Sequence, residues 1–276
     1  MINFILIMKA IIIAIVEGIT EFLPVSSTGH MIIVGDIINF HGEFARVFEI
    51  VIQLGAILAI VCLYSKKIFG SIQELFQGKS KGIRFWVNII VAFLPAAVLG
   101  FLFDDLIDEY LFNSITVAIG LLVGGILLLI TENKFKNSFK TKNVDDMNKS
   151  QALKIGFFQC LALWPGMSRS SSTIIGGWLS GLSTVAATEF SFFLAIPTMV
   201  GATGLKLIKN VNAITLGEGI VLLIGFIVAF IVAYIVVEKF INYLKKKPMK
   251  IFAIYRILLS IVLFILIYFG VIGING

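Results

Sequence analysis

The stretch IVEGITEFLPVSSTGHMIIVG, residues 15–35, decides how this chain folds, because it inserts a polar centre into an otherwise apolar region. As a helix, the apolar leg before it, residues 2–16, is about 22 Å long at roughly 1.5 Å per residue. The apolar leg after it, residues 31–38, is shorter still. A hydrocarbon layer is roughly 30 Å thick, so neither leg spans it. The stretch therefore predicts two short helices around a polar turn that contains Pro24.

The composition indicates that this hairpin lies in a membrane. Of the 276 residues, 59% are hydrophobic and only 14% are charged, and the mean hydropathy is +1.03. Soluble domains average roughly a quarter charged residues and just under half apolar residues. These values exclude a soluble globular domain, a disordered chain and a secreted disulfide scaffold, and they predict an integral membrane protein.

A second hairpin of the same kind is predicted later in the chain. The apolar leg 155–163 precedes the polar stretch Trp164-Pro-Gly-Met-Ser-Arg-Ser-Ser-Ser172, and a second leg, 173–182, follows it. Non-helical backbone at membrane depth is tolerated only inside protein or against a water-filled cavity. The sequence therefore predicts two re-entrant helical hairpins, residues 2–38 and residues 155–182.

Six other segments are long and apolar enough to cross the membrane, and the charges between them predict their orientation. The predicted spans are Phe48–Tyr64, Phe85–Phe103, Asn113–Thr131, Thr188–Leu205, Leu216–Val237 and Ile251–Gly270. The loops 65–84, 132–154 and 238–250 hold sixteen of the 22 basic residues, whereas the loop 104–112 holds four acids and no basic residue. The positive-inside rule places the basic loops in the cytoplasm and the acidic loop outside. The net charge of +6 is thus a signal of topology, and no nucleic-acid partner is expected.

The order of these segments predicts an internal repeat within a single membrane domain, residues 1–276. Repeat 1 covers about residues 1–131, a cytoplasmic linker covers 132–154, and repeat 2 covers about 155–276, each repeat being one hairpin plus three spans. Three is an odd number, so the repeats are inverted and share a site near the midplane. The predicted fold is an all-α polytopic membrane protein with six transmembrane helices, two re-entrant hairpins and an inverted-topology repeat.

Two carboxylates and a histidine in the first hairpin are candidates for chemistry. Glu17 and Glu21 are one helical turn apart and repel each other unless a proton, a cation or an arginine lies between them. They could bind a divalent metal, act as an acid–base pair, or simply be carboxylates at a helix end that are solvated at the membrane interface. His30 lies in the predicted loop after them. Glu49 and Glu189 begin predicted spans, where they are expected to anchor the helices at the interface.

The second hairpin offers an anion site. Ser168-Arg-Ser-Ser-Ser-Thr173 is expected to open a helix after Pro165-Gly166, and the N–H groups at a helix start bind anions. Arg169 and the neighbouring hydroxyls suit a phosphate. Arg169 could also pair with Glu17 or Glu21, and a bound substrate would then break that pair.

Together these residues favour phosphoryl transfer, in which positioning and charge neutralisation supply most of the catalysis. A lipid-phosphate flippase or anion transporter is the alternative, because inverted repeats with re-entrant hairpins are also a transporter plan. The phosphatidate phosphatases that combine a Ser-Gly-His block with a Ser-Arg block are excluded, because they need a histidine after the arginine and none follows His41.

At these motifs the sequence resembles the undecaprenyl-diphosphate phosphatases, the bacitracin-resistance membrane family. The matching stretches are Glu17-Gly-Ile-Thr-Glu-Phe-Leu-Pro-Val-Ser-Ser-Thr-Gly-His30 and Pro165-Gly-Met-Ser-Arg-Ser-Ser-Ser-Thr173. Residues 48–64 also look like the family's first full span, and the resemblance covers essentially the whole chain. One departure is Ser171, where many members have glycine. It should narrow the loop slightly and is compatible with activity.

The resemblance implies hydrolysis of undecaprenyl diphosphate to undecaprenyl phosphate and inorganic phosphate. This reaction recycles the lipid carrier for peptidoglycan synthesis and confers bacitracin resistance. The resemblance also implies a divalent cation, Mg²⁺ or Ca²⁺, and a place in the bacterial cytoplasmic membrane. The predicted topology turns the active site to the outer side, and the chain could form a homodimer.

The resemblance also implies a role for each motif residue. Glu17 and Glu21 would bind the metal and do acid–base work, and His30 would transfer a proton or be the nucleophile. Ser27 would be the candidate nucleophile, although direct attack by water stays open. The diphosphate would be held by four residues, Ser168, Arg169, Ser170 and Thr173.

Overall fold

The structure, a computed structural model, describes residues 4–135, 137–210 and 215–273, with residues 205–210 by backbone alone. Over these ranges it is all-helical, with no strand and a single isolated bridge between Thr141 and Leu182. The α-helices in chain order are α1 Phe4–Thr20, α2 Ser27–Ile38, α3 Glu43–Leu63, α4 Ser65–Phe76, α5 Ser80–Leu111, α6 Ser114–Phe135, α7 Lys149–Gln159, α8 Arg169–Leu179, α9 Thr184–Asn210, α10 Leu216–Leu244 and α11 Lys250–Tyr268.

Six of these helices are long and apolar enough to cross a membrane, and they coincide with the six predicted spans. They are α3, α5, α6, α9, α10 and α11. Half of the apolar window is buried in α3, α6 and α9, but only 28%, 33% and 22% is buried in α5, α10 and α11. The first three helices are therefore central, and the others present more isoleucine, leucine and phenylalanine to the lipid.

Several predicted loops are helical in part. The acidic segment 104–112 is mostly the last part of α5, which continues to Leu111, and the basic segment 65–84 contains α4. Glu and Lys are good helix formers, and even Asp costs no more than about 0.7 kcal/mol relative to Ala in a helix. A helix can therefore continue past the end of its apolar run, and the charge pattern marks the membrane boundary rather than the helix end.

Both predicted hairpins contain a helix break, although the broken segments are shorter than expected. The first break covers residues 21–26, so Ser27 and His30 lie in the first turn of α2 and not in a loop. The second covers residues 164–168 and follows a 3₁₀ turn, Cys160–Leu163. Ser26 and Ser168, which directly precede α2 and α8, both have a positive φ, of 70° and 66°. The backbone therefore turns in the same way before each helix.

The segment between α6 and α7 packs on the helices instead of hanging free. Lys140 and Thr141 donate backbone hydrogen bonds to the carbonyl of Gly181, just after α8. Val144 and Met147 are buried. Asp145 pairs with Lys67 and with Lys81, whose Nζ lies 3.1 Å from its carboxylate. Burial alone would raise the pKa of Asp145, but these two ammonium groups outweigh it and lower the pKa.

Candidate active site

The end of α1 brings the two predicted carboxylates together. The N–H of Glu21 donates to the carbonyl of Glu17 at 2.9 Å, so Glu21 completes one more helical turn although α1 ends at Thr20. Residues four apart lie on the same side of a helix. Both side chains are therefore directed to the same part of the protein, as the spacing predicts.

Glu21 connects the two breaks through its two carboxylate oxygens. The hydroxyl of Ser27 donates to Oε2 at 2.6 Å, and Nη2 of Arg169 donates to Oε1 at 3.1 Å. The Glu21 and Arg169 side chains are only 8% and 11% exposed, so the pair is shielded from water. The predicted pairing of Arg169 with an acid of the first hairpin is thus confirmed, and the partner is Glu21.

Arg169 is held from several sides. Its Nη1 donates to the backbone carbonyl of Ser191 at 3.0 Å, and its guanidinium lies 5.6 Å from the ring centre of Phe22. The hydroxyl of Ser170 crosses to the first break and donates to the carbonyl of Phe22 at 3.1 Å. The two breaks therefore meet as one site.

Glu17 lies beside this pair and has two other carboxylates nearby, those of Glu21 and Glu49. It is 1% exposed, and within the described residues its Oε1 has no hydrogen-bond partner. Glu21, Arg169 and Glu49 are all within electrostatic reach of it. Glu49, which was expected to be an interface anchor, adds a further negative charge near Glu17. Glu189 has different neighbours, the hydroxyl of Tyr64 and the charge of Lys67.

The second break forms the helix start that the sequence predicts. The hydroxyl of Ser168 caps α8 by accepting a hydrogen bond from the N–H of Ser171 at 3.3 Å. The side chains of Ser170 and Thr173 are fully buried, and Thr173 donates to the hydroxyl of Ser191 at 2.7 Å. These two hydroxyls thus already have protein partners, whereas Ser168 and Arg169 lie at the very start of the helix, where N–H groups are free for an anion.

His30 is directed to α11 rather than to the carboxylates. Its Nδ1 lies 2.7 Å from the carbonyl of Ser26, and its Nε2 lies 2.7 Å from the hydroxyl of Tyr255, whose ring stacks on it. A carbonyl can only accept, so Nδ1 carries the hydrogen. In the neutral ring Nε2 then accepts from Tyr255. His30 therefore shares the first turn of α2 with Ser27 without contacting the Glu21–Arg169 pair.

Sequence reasoning overlooked three residues that contact the site or the turn before α8, Ser191, Tyr255 and Arg256. Ionisable side chains at membrane depth are functional candidates by default. This rule could have found Arg256, which lies inside a predicted span. Ser191 and Tyr255 gave no such signal, because a serine or a tyrosine in an apolar helix is ordinary.

The two carboxylates, Glu17 and Glu21, could bind a cation, but they supply only part of its ligands. Among the described residues, no three His, Cys, Asp or Glu side chains group as a metal site. Mg²⁺, however, is commonly held by one or two carboxylates together with substrate phosphates and water. The unpartnered Oε1 of Glu17 beside Glu21 fits such a partial site.

Comparison with known proteins agrees with this geometry. The family model described as "Bacitracin resistance protein BacA" matches residues 10–262. A curated protein of Clostridium tetani named undecaprenyl-diphosphatase is 59% identical, over 98% of this chain and 99% of its own length. Proteins of the same name from Clostridium perfringens and Caldanaerobacter subterraneus are 56% and 52% identical, over 99% and 95% of this chain and 99% and 96% of their own lengths. This chain therefore belongs to the bacitracin resistance protein BacA family.

Proposed function

We propose that this chain hydrolyses undecaprenyl diphosphate to undecaprenyl phosphate and inorganic phosphate in the bacterial cytoplasmic membrane. This would recycle the lipid carrier for peptidoglycan synthesis and confer resistance to bacitracin. The observation that carries the proposal is the double role of Glu21, which accepts from Ser27 and pairs with Arg169. One carboxylate thereby joins a hydroxyl nucleophile to the cation of an anion-binding helix start, as phosphoryl transfer requires.

The contacts of Glu21 suggest how these groups act. When a diphosphate binds, Arg169 and the start of α8 are expected to hold the phosphate oxygens, and the Glu21–Arg169 pair opens. The freed carboxylate then accepts the proton of the attacking group, which is the Ser27 hydroxyl in a covalent route or a water molecule in a direct one. The bond between the terminal phosphorus and the bridging oxygen breaks, and the lipid monophosphate leaves. In the direct route inorganic phosphate forms in the same step, whereas in the covalent route water then hydrolyses the Ser27 phosphate ester and releases it.

His30 is proposed to supply the proton that the leaving oxygen needs. It sits one turn from Ser27 on α2, and its Nδ1–H is held on the carbonyl of Ser26. With this hydrogen fixed, Nε2 is the nitrogen that first takes up a proton from water, and the resulting imidazolium then donates it to the leaving oxygen; Tyr255 keeps the ring oriented. The alternative role of His30 as nucleophile would use the same nitrogen, Nε2, and stays open.

A divalent cation, Mg²⁺ or Ca²⁺, is proposed to bind at Glu17 and Glu21. When bound, it would neutralise charge on the diphosphate. The protein side of this site is the buried Oε1 of Glu17, which has no partner among the described residues, next to a second carboxylate. Substrate phosphate oxygens and water would complete the coordination.

The two broken segments are proposed to be re-entrant hairpins of an inverted repeat. Helix pairing supports this, because α1 packs on α10 as α7 packs on α5. A glycine makes each contact close: a Cβ at Gly18 would be 2.9 Å from the carbonyl oxygen of Ala229, and one at Gly156 would be 2.6 Å from that of Ala92. In the proposed repeat, α1 corresponds to α7 and α5 to α10, so the two contacts are equivalent.

The proposal includes an active site that opens to the outer side, since the basic loops are expected in the cytoplasm. Reporter fusions in the loop 65–84 would test this, and an outer location of that loop would contradict it. A homodimer is also proposed, and the protein mass in a detergent complex, measured by light scattering, would test it.

The central experiment is a phosphate-release assay on the purified protein in detergent, with undecaprenyl diphosphate as substrate. We expect release that a chelator such as EDTA suppresses and that added Mg²⁺ or Ca²⁺ restores. Detergent micelles have no two sides, so a transporter without hydrolytic activity would release no phosphate. That result would contradict the proposed reaction, whereas release that is insensitive to chelator would contradict only the cation.

A further inference from the structure

A second buried arginine contacts the turn before α8. Arg256, on α11, is fully buried, and its Nη2 lies within hydrogen-bond distance of three backbone carbonyls. The distances are 2.9 Å to Met167, 3.0 Å to Gly166 and 3.3 Å to Gly120. The ion pairs found in the described ranges do not include Arg256. Its contacts are therefore with backbone, and a role other than neutralising an acid has to explain it.

The turn at residues 164–168 has carbonyls that need such a donor. Gly166 has a φ of 94°, and a Cβ there would be 2.2 Å from the carbonyl oxygen of Val117, so the turn lies directly on the backbone of α6. At membrane depth, backbone groups outside a helix must be satisfied inside the protein. Arg256 provides this for the two consecutive carbonyls of Gly166 and Met167.

Fixing these carbonyls also fixes the amides that precede α8. A trans peptide is planar, so the N–H of Ser168 points away from the carbonyl of Met167. With that carbonyl held on Arg256, the N–H of Ser168 is turned away from α11. The guanidinium charge also lies next to the start of α8, where a buried positive charge attracts an anion more strongly than it would in water.

We propose that Arg256 is a positioning residue for the diphosphate: it sets the orientation of the Gly166–Ser168 turn and adds its positive charge to the anion site at the start of α8. The inference rests on the proposed function, because it takes this helix start as the diphosphate site. It assigns the substrate-contacting role to Ser168 and Arg169 and a supporting role, through the backbone, to Arg256.

Gly124 offers a way to move this guanidinium without changing its charge. A Cβ at Gly124 would lie 2.0 Å from Nη2 of Arg256 and 2.8 Å from its Cζ, so Gly124→Ala must displace the arginine head group. Gly201→Ala, on α9, is a matched control, since the nearest atom to its Cβ is Cζ of Phe93 at an ordinary contact distance of 3.8 Å. Arg256→Lys is the complementary change, because it keeps the charge and loses the planar group that reaches three carbonyls.

The experiment measures the binding of inorganic pyrophosphate to each purified variant in detergent, by calorimetry, together with KM and kcat for phosphate release. We expect Arg256→Lys and Gly124→Ala to weaken pyrophosphate binding roughly tenfold or more and to raise KM by a similar factor. A smaller change is expected in kcat, because Arg256 does not touch the reacting atoms. Gly201→Ala should match the unmodified protein in all three values.

A purely structural role would give a different result. If the folded fraction of each variant binds pyrophosphate with unchanged affinity and hydrolyses with unchanged KM, the proposal is wrong, whatever the loss in yield or melting temperature. If Arg256→Lys does not fold, Gly124→Ala decides in the same way. An unmodified protein that binds pyrophosphate but releases no phosphate would contradict the proposed function and not this inference, which the binding data alone would still test.

Discussion

At the break before α2, Ser27, Thr28 and His30 are only partly buried, whereas at the break before α8 the four residues Ser170 to Thr173 are fully buried. Both breaks turn through a serine with positive φ. Of these two serines, Ser168 caps its helix through the side chain, whereas Ser26 makes no side-chain cap hydrogen bond.

The difference suggests a division of labour within the site. The break before α8 is fixed from all sides, by Ser191, Phe22 and Arg256, and is suited to hold a diphosphate in one place. The break before α2 carries the reactive groups, the shielded Glu21 carboxylate and the Ser27 hydroxyl, and Ser27 is only partly buried. A substrate can approach these groups there and replace Ser27 or Arg169 as a partner of Glu21.

The largest effect is expected from removing the positive charge of Arg169 at the break before α8, which is proposed to bind the diphosphate. Arg169→Ala should lower phosphate release by roughly 10³-fold or more, the scale of an arginine that stabilises a transferring phosphoryl group. Phosphate release and the melting temperature in detergent should be measured together. Arg46→Ala, on an exposed part of α3, is the control for loss of a positive charge. Full activity of a folded Arg169→Ala protein would show that the break before α8 does not bind the diphosphate.

Ser27→Ala tests the break before α2, which carries the proposed reactive groups, and it leaves Glu21 and Arg169 in place. In the covalent route the variant has no nucleophile, so release should fall to background. Thr28→Ala, the next residue of α2, is the matched control. A rate near that of the unmodified protein would exclude the covalent route and favour water activated by Glu21. Such a rate would still agree with the proposal that the break before α8 binds the diphosphate and the break before α2 carries the reactive groups.

A smaller effect is expected from Tyr255→Phe, which keeps the ring stacked on His30 and removes the hydroxyl at Nε2. One neutral hydrogen bond contributes about 1 kcal/mol, so kcat should fall roughly fivefold. The pH dependence of kcat should shift as well if His30 transfers the proton. Tyr268→Phe, at a site where the ring is 84% exposed, should change neither. An unchanged pH profile in Tyr255→Phe would mean that the two residues only pack together.

The linker between α6 and α7, which lies outside both breaks, offers a test of stability alone. The pKa of Asp145 is lowered by Lys67 and Lys81 despite its burial, so its ion pairs stabilise the folded protein above the carboxyl's ordinary pKa. That stability is lost as the pH falls through the lowered value. Asp145→Asn should therefore lower the melting temperature near neutral pH, and the difference should vanish in acid.

The expected shift for Asp145→Asn is no more than about 2–4 °C, because partly exposed ion pairs contribute up to about 1 kcal/mol. Asp146→Asn, at the exposed neighbouring position, is the control and should change little. A difference from the unmodified protein that persists at low pH would mean that the charge of Asp145 is not what stabilises the linker.

Much of the fold could be predicted because it depends on where apolar runs stop. All six spans and both breaks follow from the length of these runs and from Pro24 and Pro165. The first turn of α2 could not be predicted, because Ser-Ser-Thr-Gly-His suits a loop as well as a helix start. The pairing of Glu21 with Arg169 was predictable as a need for charge compensation. The contacts of Ser191, Tyr255 and Arg256 depend on which helices meet, and no periodicity within one segment encodes that.

The smallest effect is expected at Ser171, in the first turn of α8. Its hydroxyl is fully buried and has no hydrogen-bond partner among the described residues, and its backbone N–H already serves the Ser168 cap. Ser171→Ala removes an unsatisfied hydroxyl and keeps the cap, so phosphate release should stay within about twofold and the melting temperature should not fall. Kinetics at saturating and limiting substrate would check this. A tenfold rise in KM would mean that the Ser171 hydroxyl turns to the diphosphate when it binds, and the break before α8 would then be less fixed than its burial indicates.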